Sequence, residues 1–298
     1  MSGMNILWAI LVALIWGLNF VVIQVGLGEL PPLLFSALRF SLAGLPALGL
    51  VGRNGIPWRW IVILGLVMGV ASNALLFVGM TRGISAGLSS LAMQTHVVFT
   101  LVLSWLLFRE HLSWRQRLGV ALAFGGIVVL ASRHTSGMTF MGLTLVLGSA
   151  FAWAVFTILL KRIGQVEMPR LMIWISVVPP LPLLGLSLAL ERGQWQAIEQ
   201  IRWEGLGALF YTAVISTILA GALWGKLVKS YTPSTVAPFA LLVPVFGMVS
   251  ARIALGEHYD AAKWAASLLV MAGLAVVIFD QYRASPPRVA WVRNLKNR

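Results

Sequence analysis

Ten apolar stretches of roughly 20 residues recur along the chain, cut apart by short clusters of charge, glycine and proline. They fall at approximately 5–27, 32–51, 60–81, 86–108, 114–132, 140–160, 170–190, 205–226, 234–255 and 262–280. A helix of that length crosses the hydrocarbon core of a bilayer, where the backbone must satisfy its own hydrogen bonds. Charged residues are 10% of the chain, against about a quarter in soluble domains, so no water-soluble globule could hide this surface. The predicted class is an all-α integral membrane protein. Most connections are very short, so consecutive helices run antiparallel. The longest, 191–204, is too small for a soluble domain.

The net charge of +13 could suggest nucleic acid, but the 22 Lys and Arg are scattered through the gaps between apolar runs and form no basic face. They serve better as orientation signals. With the N-terminus inside, 15 of them fall on the cytoplasmic side, 6 fall outside, and Arg39 lies within a span. Both termini are therefore expected in the cytoplasm. The first run is expected to be a retained helix rather than a cleaved leader. The segment 283–298 reads as a basic cytoplasmic tail, either solvated or lying on the anionic leaflet. Ten of the 13 Trp lie near span ends, where indole prefers the interface, whereas Trp16, Trp153 and Trp174 fall well inside spans. The absence of cysteine excludes disulfides and thiolate metal sites.

The halves repeat. An offset of 147 aligns Glu110 with Glu257 and Gly126 with Gly273, and an offset of 137 aligns Trp16 with Trp153. The expected units are 1–133 and 138–282, each with five spans. Five is odd, so the second half enters from the opposite side. Inverted repeats are an architecture of secondary transporters, whose substrate site lies near the midplane between the halves.

Trp16-Gly17-Leu18-Asn19-Phe20, Leu38-Arg39-Phe40, Ala86-Gly87-Leu88-Ser89-Ser90-Leu91, Phe108-Arg109-Glu110-His111-Leu112 and Leu242-Val243-Pro244-Val245 stand in an order and spacing that resemble the EamA family of the drug/metabolite transporter superfamily. The resemblance covers essentially the whole chain. Within it the sequence looks most like bacterial exporters of cysteine, O-acetylserine and related amino-acid metabolites, a group that Gln94 and Pro31-Pro32 also fit. The resemblance implies a ten-helix inverted repeat in the inner membrane and export of small amino-acid-like substrates. Export of polyamine-, sugar- or purine-like metabolites or drugs on the same fold is the alternative.

Polar groups deep in spans are costly and are candidates by default. Asn19 shares a face with Trp16 and Ile23. It either meets a substrate or bonds another helix. Trp16 and Trp153 could wall a central cavity or simply pack. Asn73 and Phe77 are four apart on the third span. Gln94 and His96 lie about 160° apart on a regular helix, so they are not expected both to face one cavity, and the resemblance, which retains Gln94, implies that Gln94 is the one facing substrate. Tyr211, Thr212 and Ser216 form a stripe on the eighth span, where a hydroxyl often bonds its own backbone. Arg39 either snorkels, pairs with a carboxylate such as Glu29, or clamps a substrate carboxylate. Pro179, Pro180 and Pro182 in the seventh span and Pro238 and Pro244 in the ninth are candidate bending points. Glu110 and Glu257 read as helix-start and loop-pairing acids.

All nine acids fall at span ends or in loops, and Asn19 stands where small multidrug exporters carry a first-helix glutamate. Cation efflux by proton exchange is therefore disfavoured. Export down the substrate gradient or weak coupling is expected, with His96 as the mid-span group suited to sense neutral pH. Neither a cofactor nor a metal is expected, and the chain is read as a monomer or homodimer. The four scattered His and the absence of mid-span acids make an intramembrane enzyme the weakest reading, beside a non-transporting scaffold.

Overall fold

The computed structural model of the protein describes residues 1–109, 111–132, 138–163, 166–231 and 233–284. Glu110 and the tail from residue 285 lie outside the described residues. Nine helices among the described residues are long and apolar enough to cross a membrane, and a tenth is shorter. Span 1 is Gly3–Leu27, span 2 Pro32–Leu48, span 3 Trp58–Thr81, span 4 Ala86–Phe108 and span 5 Trp114–Ala131. Span 6 is Phe140–Ile163, span 7 Met168–Leu190, span 8 Trp203–Val228, span 9 Pro233–Leu255 with a break, and span 10 Ala261–Ala284.

Span 2 ends three residues short of its expected boundary. Pro46 and the residues around it tighten into a 3₁₀ turn, Leu45–Leu48, after the α-helix Pro32–Gly44. The steeper rise of that turn still lets the piece reach about 28 Å, close to a hydrocarbon thickness. Span 5 begins on a capping box, with Ser113 Oγ accepting from Gln116 N at 3.1 Å and Gln116 Oε1 accepting from Ser113 N at 3.1 Å. Spans 4 and 9 end on left-handed residues that stand 147 positions apart, Arg109 at φ +55° and Gly256 at φ +66°.

Small residues set the closest helix contacts. A Cβ on Gly273 would lie 2.5 Å from the Gly119 carbonyl oxygen, which locks span 10 against span 5. A Cβ on Gly17 would lie 2.8 Å from the Val243 carbonyl oxygen, so span 1 seats on span 9. The largest core joins Phe20 and Ile23 of span 1, Phe35 of span 2, Phe77 and Met80 of span 3, Leu88 of span 4 and Ala251 of span 9. Many large apolar side chains remain on the outside, including Leu181, Leu188 and Ile253, as a lipid-facing surface requires. Trp114, Trp195 and Trp203 are exposed at span ends, in the positions expected for interfacial indoles.

Candidate functional site

Two segments leave α-helical geometry. Gly65–Ser72 in span 3 and Tyr211–Leu219 in span 8 wind as π-helix, a form that is rare and often marks functional positions. They occupy corresponding places in the two repeats. Beside the first, Asn73 Nδ2 donates to the Met68 carbonyl at 2.8 Å. Within the second, Thr217 Oγ1 donates to the Thr212 carbonyl at 2.8 Å. Each side chain reaches five residues back, and 144 positions separate Asn73 from Thr217 and Met68 from Thr212.

Both then turn an oxygen to the same cation. Arg39 Nη1 donates to Asn73 Oδ1 and Arg39 Nη2 donates to Thr217 Oγ1, each at 2.9 Å. Arg39 sits midway along span 2 and is 9% exposed. Its guanidinium carbon lies 5.2 Å from the Phe40 ring centroid and 5.8 Å from that of Phe77, within cation–π range. Of the alternatives for Arg39, pairing with Glu29 is not formed. Glu29 instead accepts from Arg202 Nε at 2.9 Å and from Arg202 Nη2. Glu29 lies in the loop before span 2 and Arg202 immediately before span 8, so both stand at the bundle edge. Arg39 is too deep to reach it.

Spans 4 and 9 are discontinuous at matching depths. Span 4 breaks at Gln94 and Thr95, between Ala86–Met93 and His96–Phe108. Span 9 breaks at Leu241, 147 positions after Gln94, between Pro233–Ala240 and Leu242–Leu255. Gln94 Nε2 donates to the Ala240 carbonyl at 2.8 Å, tying one break to the other. Pro238 lies before that break and Pro244 in the turn after it, which denies the backbone its regular bonds there. Broken helices near the midplane expose carbonyls and N–H groups to a ligand, as in many secondary transporters.

His96 points elsewhere. Its Nδ1 donates to the Met93 carbonyl at 2.8 Å, and its ring lies 6.2 Å from that of Trp153. Gln94 and His96 therefore contact different spans. Trp153 also packs on Phe156 of its own span. Trp16 Nε1 donates to the Ser216 carbonyl at 3.1 Å and its ring lies 5.2 Å from that of Trp224. The two symmetry-related Trp thus serve different neighbours. Tyr211 Oη donates to the Ile15 carbonyl at 2.9 Å, and Thr212 Oγ1 bonds back to Ala208. Asn19 Oδ1 is buried without a partner among the described residues.

Span 7 breaks between Ile175 and Pro180. Pro179 fills the space over the first π-helical segment, where a Cβ on Gly69 would meet Pro179 Cγ at 2.0 Å. Trp174 donates to the Val51 carbonyl at 3.1 Å, which explains its depth by a bond to the loop after span 2.

At the end of the bundle remote from the N-terminus, Glu257 closes onto span 4. Its Oε2 accepts from Ser85 Oγ and Tyr259 Oη at 2.7 Å each, and the carboxylate lies 3.3 Å from Gly87 N. Burial, reinforced by Glu257, pushes the Tyr259 hydroxyl well above its ordinary range, so it stays a donor. Glu257 caps the start of span 4, in the other repeat, rather than the helix that follows it in sequence. Glu110 lies outside the described residues. Among those residues, no three His, Cys, Asp or Glu gather in a way that could hold a metal ion.

Reading by residue type missed Thr217 and the π-helical segments. The offsets of 137 and 147 read from the sequence place Phe210 and Ala220 opposite Asn73, so the 144-residue register that pairs Asn73 with Thr217 emerges only from the structure. The same reading also missed Ser36, whose buried Oγ has no partner among the described residues.

The sequence profile of the EamA-like transporter family matches twice, over residues 3–132 and 140–279. A probable amino-acid metabolite efflux pump of Salmonella typhimurium is 39% identical over 91% of this chain and 93% of its own length. A protein of the same description from Escherichia coli K12 is 36% identical over 94% of this chain and 96% of its own length. An uncharacterized transporter of Bacillus subtilis is 28% identical over 89% of this chain and 88% of its own. One solved crystal structure superposes with a TM-score of 0.67 over 96% of this chain and 100% of that one, at 19% identity, a likeness of fold.

Proposed function

This chain belongs to the EamA-like transporter family, and on that premise we propose that it exports amino acids and related small metabolites across a bacterial inner membrane. The observation that carries the reading is the meeting of both repeats at mid-depth. The broken spans 4 and 9 join there through Gln94, and the π-helical segments of spans 3 and 8 join through Arg39. The two relatives described as probable amino-acid metabolite efflux pumps support the substrate class.

In this reading the halves 1–133 and 138–282 rock about a midplane site, opening it to one face at a time. Trp16, Asn19, Asn73, Phe77, Gln94, Trp153 and Tyr211 contact the substrate. The aromatic rings take its side chain, and the amides and the phenol replace water around its polar ends. The interruptions at Pro179, Pro180, Pro238 and Pro244 bend. The Lys and Arg bias supports cytoplasmic termini, which places the Glu257 latch at the periplasmic face. Export runs down the substrate gradient, since the acids of the chain stand at span ends and in loops. His96 is the candidate for any proton coupling, and a transport rate flat across neutral pH removes that role from it.

Counterflow in proteoliposomes tests the proposal. Vesicles preloaded with one unlabelled amino acid should accumulate a labelled one transiently, for several neutral amino acids, with or without a pH gradient. Exchange confined to polyamines, sugars or purines would keep the fold and overturn the substrate class.

A further inference from the structure

Ser36 and Arg39 lie three apart on span 2 and therefore on one helix face. They are 0% and 9% exposed. Each carries a donor without a partner among the described residues, the Ser36 hydroxyl and the Arg39 Nε–H. The remaining guanidinium contacts are neutral: an amide oxygen from Asn73, a hydroxyl from Thr217 and the Phe40 and Phe77 rings. Among the described residues no carboxylate lies within 4.0 Å of the Arg39 nitrogens. A buried cation held only by neutral groups is an expensive arrangement, and its cost falls when an anion arrives. The free Nε–H lies on the guanidinium edge shared with Nη2, and that edge matches the two oxygens of a carboxylate.

We infer that the Nε edge of Arg39, with the Ser36 hydroxyl, binds the carboxylate of the transported metabolite. The assignment rests on the exporter reading and adds the group that the protein selects. The preferred substrates are small molecules with a free carboxylate, amino acids among them, and the corresponding carboxamides and decarboxylated amines are rejected. The repeat register sharpens the assignment. The matching span of the other half, Met168–Leu190, carries no Lys or Arg beyond Arg170 at its start. The cation is thus supplied by one half only, so a bound substrate has a defined head and tail across the pseudo-symmetric site.

The test is binding to the purified full-length protein, read by tryptophan fluorescence. The probes are matched triplets of amino acid, carboxamide and amine, with small hydroxy acids and their amides added. Acids should bind at least about 100-fold more tightly than their amides, because a site built around a polar group rejects the analogue that lacks it. Arg39→Lys keeps the charge but removes Nε, and should collapse that preference to about tenfold or less. Acids and amides binding alike to the wild-type protein would overturn the assignment, whether or not Arg39→Lys folds. An unchanged preference in Arg39→Lys would overturn it as well. Counterflow separates the two readings. Selective binding of hydroxy acids without amino-acid exchange keeps the carboxylate site and removes the amino-acid substrate. Amino-acid exchange indifferent to amidation keeps the exporter and removes the site.

Discussion

The π-helical segments of spans 3 and 8 are alike in backbone and unlike in what surrounds them. Asn73 and Thr217 make the same five-residue return bond and present an oxygen to the same guanidinium. Yet Asn73 is 5% exposed whereas Thr217 is half-buried. The first segment leans on the broken span 7 through Gly69, and the second has Ala213 at the position 144 residues on. The repeated backbone brings one side-chain oxygen from each half to one guanidinium. The side chains around it differ between the halves, and the charge comes from span 2 alone.

Breaking the Asn73 side should have the largest effect. Asn73→Leu strips Arg39 of its buried acceptor and should cost about 1–3 kcal/mol of stability. Transport should fall in parallel by at least tenfold, read as unfolding in detergent and as counterflow. Gly69→Ala makes the first segment resemble the second. It forces a methyl group onto Pro179 and should cost about 1–3 kcal/mol by overpacking, seen as a lower melting temperature. A neutral result there would mean that span 7 yields freely at its break. Thr217→Val should cost less than Asn73→Leu, about 1 kcal/mol, because Thr217 is less buried than Asn73. Equal losses at the two sites would contradict the asymmetry.

A comparable effect is expected at the ends of the broken helices. Gly256 adopts the left-handed C-cap of span 9 without strain, and Arg109 adopts the same conformation in span 4 with a Cβ in the way. Arg109→Gly should therefore stabilise the protein by about 1 kcal/mol, and Gly256→Ala should do the reverse. The smallest effect belongs to the Glu29–Arg202 pair, whose guanidinium is exposed while its carboxylate is largely covered. The Arg202 guanidinium holds the Glu29 carboxyl below its ordinary 4.5. That depressed carboxyl contributes stability above about pH 4.5, and the contribution fades as the pH falls through the lowered value. Arg202→Gln should lower the melting temperature slightly at pH 7, remove that acid dependence, and leave the two proteins alike at low pH.

Hydropathy made the ten passes and their repeat legible, because every membrane span must announce itself by length and composition. Span 2 was read too long, since its terminal 3₁₀ turn depends on Pro46 within a run of unbroken apolarity. The π-helical segments left no mark in composition, since they arise from packing against neighbouring spans. Arg39 was legible as an anomaly, but its partners were not. Asn73 and Thr217 are 144 residues apart, and only the fold brings them to one guanidinium. Gln94 was singled out on resemblance, and its bond to Ala240 emerges only once both helices break at the same depth.

The proposed rocking of the two halves is tested most directly by cysteine accessibility, since the natural chain contains no cysteine. Ala251 is 0% exposed in the core beneath the Glu257 latch, beside Leu88 and Ala92 of span 4. In Ala251→Cys proteoliposomes, a membrane-impermeant maleimide applied at the latch face should react slowly. The rate should rise several-fold when an exported amino acid is supplied from the opposite face. It should rise again without substrate when Glu257→Gln weakens the latch. Counterflow that proceeds while the alkylation rate stays fixed would contradict an opening of the halves at this end.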